Sequence, residues 1–504
     1  MKQVLVFGAG KSATVLIEYL LNEAEMQNWF VTVVDADLLM ARSKTANHNR
    51  GNAVSFDINN EVDRRKELAK ADIVISMLPP HLHILVAKDC ILYKKNLLTA
   101  SYVDEQVKML ASQVEKENIL FLYEMGLDPG IDHMSAMKII HHIQEKDGTI
   151  TSFKSHCGGL VAPESDDNAW HYKISWNPRN VVNAGKAGAI FKQDGETNKL
   201  DYAALFDNDK FVEIPELGVL SFYPNRDSLS YIPLYGLNSA DTFIRTTLRH
   251  PDFMYGWKNI IDLKLTDETI QYETDGMSLA TFFKEHFAKN GFNDWLKEKM
   301  TNRFAQTKEL LENLVKLNEA EKAAAETGEE IPGSLMMIDK KGDLEQIELE
   351  TIKTNAAATI AGKLHEANLT LKQLFHLGMD DEETMINKGK CSAADVLQFA
   401  LEKKLALHPG DKDMIVMLHE IEYNLNHKNT LVKSSLVVKG MDSSHTAMAK
   451  TVGLPLGIAA KLILNGTIKL SGLHVPVIKE IYEPVLKELE ISGIKFNEET
   501  IQAD

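Results

Sequence analysis

The chain has 504 residues, 44% of them hydrophobic and 25% charged, with a formal net charge of −17. That length implies two or three domains, because single cores seldom grow past about 250–300 residues. An acidic balance without a basic tract excludes nucleic acid as an expected partner, no apolar run approaches the roughly 20 residues that span a bilayer, and three scattered cysteines (Cys90, Cys157, Cys391) suit a reducing compartment.

Val4-Leu5-Val6-Phe7 reads as a buried strand that starts almost at the first residue. This leaves no room for a leader, so a cytoplasmic location is expected. Gly8-Ala9-Gly10-Lys11-Ser12-Ala13 follows at once. Gly8 permits the tight turn, Gly10 lets a pyrophosphate approach the backbone, and small Ala13 lets the next helix pack on the strand. The pyrophosphate then sits on free N–H groups at the helix N-terminus. A helical segment over 11–25 leads to a second apolar run, 31–34, and to Asp35. That carboxylate lies about 25 residues beyond the first glycine, where an acidic residue hydrogen-bonds the ribose 2′-hydroxyl of NAD. A glycine pattern alone is weak, but strand, turn, helix, strand and Asp in this order predict a dinucleotide site.

Further strands are predicted at 53–56, with Asp57 at its end facing the adenine edge, at 72–78, which holds Met77 and stops at Pro79-Pro80, and at 96–100, which leads to Ser101 and Tyr102. A sixth, 119–123, runs into Glu124-Met125-Gly126-Leu127-Asp128-Pro129-Gly130. Helical patterns at 61–70, 81–90 and 104–116 alternate with them, so residues 1–130 should form a Rossmann-type α/β domain with a doubly wound parallel sheet. Ligands of such sheets bind outside the carboxyl ends of the strands, which places Met77, Ser101, Tyr102 and Asp128 at the crevice.

The middle of the chain changes character. Strands are expected at 150–160 and 211–223, and Ser155-His156-Cys157-Gly158-Gly159 brings paired glycines where a ligand can approach backbone. Arg179, Arg226, Arg245 and Arg249 stand at polar places. They suit either a substrate bearing several carboxylates or ordinary surface ion pairs, and the residues leave both readings open. Residues 278–405 are mostly helical in pattern; Phe304, Leu310, Leu311, Leu314 and Leu317 mark one face, a core stripe rather than a cofactor box. Ten acidic residues against three lysines between Asn318 and Glu350 mark a solvated stretch, with 323–332 as an insertion. From Met414 strand patterns return, suggesting re-entry into the middle sheet, and a helix-rich stretch begins near Ala447.

Four longer strings then occur in order: Glu124 to His133; Ser155-His156-Cys157-Gly158-Gly159-Leu160-Val161-Ala162-Pro163-Glu164; Tyr172-Lys173-Ile174-Ser175-Trp176-Asn177-Pro178-Arg179; and Tyr223-Pro224-Asn225-Arg226-Asp227-Ser228. Together they closely resemble the glutamate-forming saccharopine dehydrogenases, also called saccharopine reductases. The resemblance runs nearly end to end and includes Thr451-Val452-Gly453-Leu454-Pro455 and Asn465-Gly466-Thr467-Ile468. It implies a nucleotide domain (1–130), a discontinuous α/β substrate and dimerisation domain (131–277 and 406–504), an inserted all-helical domain (278–405), and a homodimer. It also implies lysine metabolism: saccharopine, a secondary amine with three carboxylates, is oxidised with NAD(P) and water to glutamate and 2-aminoadipate 6-semialdehyde, or formed by the reverse condensation.

The resemblance carries saccharopine contacts onto Ser101, Tyr102, Asp128, Arg226, Thr247, Leu248 and Arg249, with Arg226 and Arg249 as carboxylate clamps. It carries cofactor contacts onto Gly8, Ala9, Gly10, Lys11, Ser12, Ala13, Asp35, Asp57, Met77, Ser101, Leu127, Asp128, Pro129, Gly130, Ile131, Asp132 and Trp176. For proton transfer it brings Asp128, Tyr102 and Cys157 near the nicotinamide. Asp128 reads equally as a base with a raised pKa or as a partner for a substrate ammonium. Cys157 reads as an acid or as a small buried thiol, and His133 as structural. No histidine spacing of the HExxH kind occurs, so no metal is expected.

One departure bears on the cofactor. Fungal biosynthetic members carry a basic residue after the second strand, suited to a 2′-phosphate, whereas here Val34 is followed by Asp35, Ala36 and Asp37. A carboxylate there repels NADP and favours NAD, which fits lysine breakdown. Two rivals stand beside this reading. A carboxynorspermidine synthase-like imine reductase would want fewer carboxylate-binding arginines. A non-catalytic nucleotide-binding protein would have no need of Tyr102, Asp128 and Arg226.

Overall fold

The strand-and-helix alternation of the first part closes into a parallel sheet. In the computed structural model, which describes all residues except 208–209, 328–333, 339–343 and 503–504, strands β1 (Lys2–Phe7), β2 (Trp29–Asp35), β3 (Gly51–Ser55), β4 (Ile73–Ser76), β5 (Asn96–Thr99) and β6 (Leu120–Leu122) run in the order β6-β5-β4-β1-β2-β3. All neighbours are parallel. The order reverses between β1 and β4, and that switch point is where such sheets bind dinucleotides. A strand from far along the chain, Gly472–His474, adds to the β6 edge and makes seven.

Helix α1 (Thr14–Gln27) buries Leu16, Ile17, Leu20, Leu21 and Ala24 at helical spacing against this sheet. Its outer side is covered by another late segment, the helix Ala447–Leu464. A Cβ at Gly453 would press on the Leu16 backbone at 2.8 Å, so glycine there lets the two helices touch closely. By length and composition this helix could cross a membrane, but 72% of it is buried inside the protein, as a core helix is.

The second sheet has ten strands. Its main path uses β7 (Thr149–Val161), β8 (Phe211–Ile214), β9 (Gly218–Pro224), β10 (Thr242–Arg249), β11 (Asp413–Leu425), β12 (Lys428–Lys439) and β13 (Asn497–Gln502), in the order β8-β9-β10-β7-β11-β12-β13. The sheet is mixed: β7 lies parallel to β10 and antiparallel to β11. The chain thus returns after residue 404 to pair Asp413 with Val161, as the late strand patterns suggested. The single strand expected over 211–223 is instead the hairpin β8–β9, because Glu216 and Gly218 take positive φ and turn the chain. Helix α2 (Ile131–Gln144), entered directly from the loop after β6, packs on this sheet.

Both sheets belong to one compact unit (Met1–Asp167, His171–Met254, Leu405–Asp504), and a second unit comprises Asn168–Trp170 and Tyr255–Lys404. Four helices dominate the second unit: Leu279–Asn290, Trp295–Thr327, Leu349–His376 and Ala393–Lys404. The expectation of an all-helical insertion is corrected by two small antiparallel sheets, Ile270–Glu273 with Lys390–Ser392 and Ser334–Ile338 with Leu344–Glu348. Antiparallel pairing satisfies the backbone groups of these short runs. Of the expected core stripe, Leu311 is exposed, and Phe304 and Leu314 lie outside the described side chains. Residues 328–332 of the expected solvated insertion likewise fall outside the described residues.

Candidate active site

On the cofactor side, the glycine loop is held by its own backbone. Gly8 sits at φ +98°, donates its N–H to Val34 O at 2.8 Å, and leaves no space for a side chain, since a Cβ would meet Met77 O at 2.8 Å. Ala13 is buried beneath the start of α1, whereas a Cβ at Gly10 would touch nothing within 4 Å. The face above Gly10 is therefore open to a group larger than the loop itself. Lys11 and Ser12 line the exposed turn that leads into α1. Asp35 closes the arrangement from β2: Oδ2 accepts from Ala9 N at 2.7 Å and Oδ1 from Asp37 N at 3.0 Å. A carboxylate has about four acceptor positions, so capacity for a ribose hydroxyl remains. Asp57, exposed at the end of β3, accepts from the Asn59 backbone and side chain, which lowers its pKa. Open N–H groups at a helix start, a cradle without side chains and a carboxylate at the end of β2 fit a dinucleotide.

Ser101 lies at the next strand end, and its Oγ is 2.7 Å from His83 Nε2, whose Nδ1 is 2.8 Å from Ser76 Oγ. Burial pushes His83 down to about 4, so this link is a neutral imidazole that orients Ser101.

Opposite, the loop after β6 and the strand β10 build a charged cluster. The Asp128 carboxylate, 14% exposed, accepts from Arg245 Nη2 at 2.6 Å and from Tyr102 OH at 3.3 Å. The same Nη2 reaches Asp132 Oδ2 at 2.8 Å, and Asp132 Oδ1 accepts from Gly130 N at 2.6 Å. Arg245 is 4% exposed and lies over the Tyr231 ring, 4.4 Å from its centroid. Behind it, His133 bridges Glu124 Oε2 at 2.9 Å and Tyr235 OH at 2.5 Å, and Glu124 also takes the Tyr231 hydroxyl at 3.2 Å. Burial raises the Asp128 pKa while the Arg245 charge opposes it; Asp132, beside His133 and Arg245 and bonded by Gly130, is held low. Burial raises Tyr102 and lifts Cys157 well above the usual thiol range, with the Asp128 charge adding to both.

Two other arginines differ from Arg245. Arg249 is 4% exposed, packs against the Tyr172 and Phe253 rings, and donates from Nη1 only to Leu248 O. Its Nε is buried without a partner, and among the described residues no carboxylate pairs with it. Arg226 is exposed, takes φ +52°, and stands 5.3 Å from the Tyr102 ring centroid.

The structure thus gathers Tyr102, Asp128 and Arg226, with Cys157 opposite Thr247 in the β7–β10 register. Trp176 donates from Nε1 to Tyr172 OH at 3.0 Å, beside Arg249. Some assigned residues point elsewhere. The pleat of β10 sends Leu248, fully buried, into the opposite apolar core, so it has only backbone to offer. Leu127 and Ile131 are core residues, Asp132 spends both oxygens on internal bonds, and Pro129 and Gly130 are buried, with the Pro129 carbonyl accepting from Gly126 N and the Gly130 N–H donating to Asp132. Sequence reading also missed the role of Arg245. The signal was present: Arg245, Thr247 and Arg249 alternate along one strand face. Glu124 and Tyr231 gave no comparable signal, since their meeting depends on a separation of 107 residues.

Comparison with known proteins agrees with this architecture. Residues 4–122 match the family model described as saccharopine dehydrogenase NADP binding domain, and residues 126–494 match the saccharopine dehydrogenase C-terminal domain. The chain is 30% identical to a saccharopine dehydrogenase [NADP(+), L-glutamate-forming] of Pyricularia oryzae, with 99% of each chain covered. It is 32% identical to an alpha-aminoadipic semialdehyde synthase of Arabidopsis thaliana over 98% of its own length, but spans only 44% of that longer protein. Among solved structures, apo saccharopine dehydrogenase (L-Glu forming) from Saccharomyces cerevisiae superimposes with a TM-score of 0.77 at 27% identity, covering 99% and 100% of the two chains. A homospermidine synthase from Legionella pneumophila in complex with NAD shares the fold at a TM-score of 0.51 and 8% identity. With both family models matched in order along nearly its whole length, the chain belongs to the saccharopine dehydrogenase family.

Proposed function

We propose that this chain is a glutamate-forming saccharopine dehydrogenase of lysine metabolism. The observation that carries the reading is Arg249, a buried guanidinium with no carboxylate partner among the described residues, in a chain aligned end to end with relatives of that name. A buried unpaired charge is costly, and a substrate carboxylate would pair with it. Arg226, exposed beside Tyr102, is the second clamp. A polyamine substrate would find these cations repulsive.

A bound nicotinamide supplies the hydride acceptor. The chain's own residues orient and manage protons. Asp128 takes the proton of the secondary amine as its lysyl ε-carbon is oxidised, and the product is an imine. Water adds to that imine, and the C–N bond breaks to release glutamate and 2-aminoadipate 6-semialdehyde. Tyr102, donating to Asp128 at 3.3 Å, stays protonated and holds the carboxylate's orientation. Cys157, whose thiol burial keeps neutral, serves as a small uncharged wall rather than a base. Ser101, oriented by His83, and Thr247 complete the substrate contacts.

NAD is the proposed cofactor, although the fungal relatives are named for NADP(+). Asp35, already drawn toward the loop by Ala9 N, keeps a negative charge at the end of β2 that would repel a 2′-phosphate. We further propose a homodimer, the assembly the family resemblance implies, and a cytoplasmic location, consistent with three buried, unpaired cysteines. Reduction followed at 340 nm with L-saccharopine and either NAD⁺ or NADP⁺ tests the reading. Turnover preferring NAD⁺ is expected. Preference for NADP⁺ would overturn the Asp35 argument, and no turnover in a folded, cofactor-binding protein would overturn the substrate. Light scattering of the purified chain tests the dimer.

A further inference from the structure

We propose that Arg245 is a positioning residue for the reaction: its Nη2 fixes the Asp128 carboxylate at the crevice, and Asp132 anchors the guanidinium from behind. This rests on the saccharopine dehydrogenase reading for the role of Asp128, but its geometric part stands by itself. A single nitrogen serves two carboxylates, Asp128 Oδ1 at 2.6 Å and Asp132 Oδ2 at 2.8 Å. Arg245 therefore cannot be a carboxylate clamp of the kind Arg249 is, because its charge is already used inside the protein.

The surroundings leave no substitute for it. Asp128 is faced by Arg245, Asp132, Tyr102, His133 and Cys157. Tyr102 and Cys157 are neutral, Asp132 is a like charge, and His133 is occupied between Glu124 and Tyr235. Arg245 is thus the one permanent cation against Asp128 among the described residues. Without it, two carboxylates in a water-poor site would share a proton, and Asp128 could not accept one from an amine. The guanidinium is itself held: Tyr231 covers one face, its backbone N–H donates to Ser228 Oγ at 3.1 Å, and β10 pairs in register with β7.

The arrangement makes opposite predictions for the two partners of Asp128. In Arg245→Gln the Asp128 carboxyl should titrate at higher pH than in the native enzyme, and in Asp132→Asn at lower pH, because one removes an attractive charge and the other a like charge. The full-length protein with ¹³C-labelled aspartate, its Asp128 signal assigned from Asp128→Asn, reports this by carboxyl NMR titration without any substrate. In parallel, the acidic limb of kcat/KM for L-saccharopine should move up in Arg245→Gln with a loss of about 100-fold or more. Arg245→Lys should restore part of the rate with the limb near its native position, while KM for the nucleotide stays within a few-fold. If Arg245→Gln unfolds, Arg245→Lys and Asp132→Asn still carry the test. A uniform loss of rate with unshifted Asp128 titration in these variants would overturn the proposal. Native protein that shows the expected titrations yet does not turn over saccharopine would count against the substrate reading instead.

Discussion

The two sides of the crevice are assembled in different ways. On the cofactor side, the decisive contact spans 26 residues (Ala9 N to Asp35), and nearly every bond uses backbone. On the substrate side, Arg245 meets Asp128 across 117 residues and His133 meets Tyr235 across 102, and the bonds are between side chains. The first side is a local device carried by one strand–turn–helix–strand unit. The second exists only when a parallel sheet and a mixed sheet fold against one core, which buries the ions and makes each bond count for more.

The largest expected effect tests the substrate side. Arg249→Met should raise KM for saccharopine or lower kcat/KM by about 100-fold or more, with nucleotide affinity preserved. Because the native guanidinium is buried without a carboxylate, the same variant should be at least as stable as the native protein in thermal melts. Loss of activity together with loss of folding would show Arg249 to be structural.

On the cofactor side, Gly8→Ala should destabilise the protein by about 1–3 kcal/mol, since it forces a positive φ and a clash with Met77 O. Nucleotide binding, read by NADH fluorescence, should fall with it. If urea midpoints stay unchanged, the loop is less constrained than its geometry implies. Asp35→Ala should shift the NAD-to-NADP preference by about 10-fold toward NADP and weaken both, because the loop loses its anchor as well as its charge. An unchanged preference would remove the basis for NAD.

The smallest expected effect separates the regions by pH. His83, beside Ser101, has its folded pKa pushed down to about 4 by burial. Its unfolded value is near 6.5, so its contribution is present above that pH and is lost as pH falls toward 4. His171, next to the Tyr172 that packs on Arg249, lies between Asp252 and Asp166 and is stacked on His250; its carboxylate partners raise it to about 9. That contribution is full below about pH 6.5 and is lost as pH rises through 9. Urea midpoints across pH for His83→Asn and His171→Asn should therefore differ from native at opposite ends of the range. Differences at the same end would break the contrast.

By itself the sequence determined the parallel sheet, the glycine loop with Asp35, the return to strand from Met414 and the family strings, because strand runs, turn glycines and helix faces obey short-range periodicity. It also placed Tyr102 and Asp128 in the segments that follow the fifth and sixth strands, where the structure brings them into contact. Tertiary structure alone decided which arginine is which. Arg226, Arg245 and Arg249 look alike as letters, yet one is exposed beside a ring, one is locked between two aspartates and one is buried without a carboxylate. The pleat of β10 likewise turned Leu248 away from the site, and the first turn of α2 turned Asp132 inward. The short strand Ile270–Glu273 was hidden for the same reason: its partner, Lys390–Ser392, lies about 120 residues away. Charge pairing and burial depend on which distant segments meet, and no local pattern in the chain encodes that meeting.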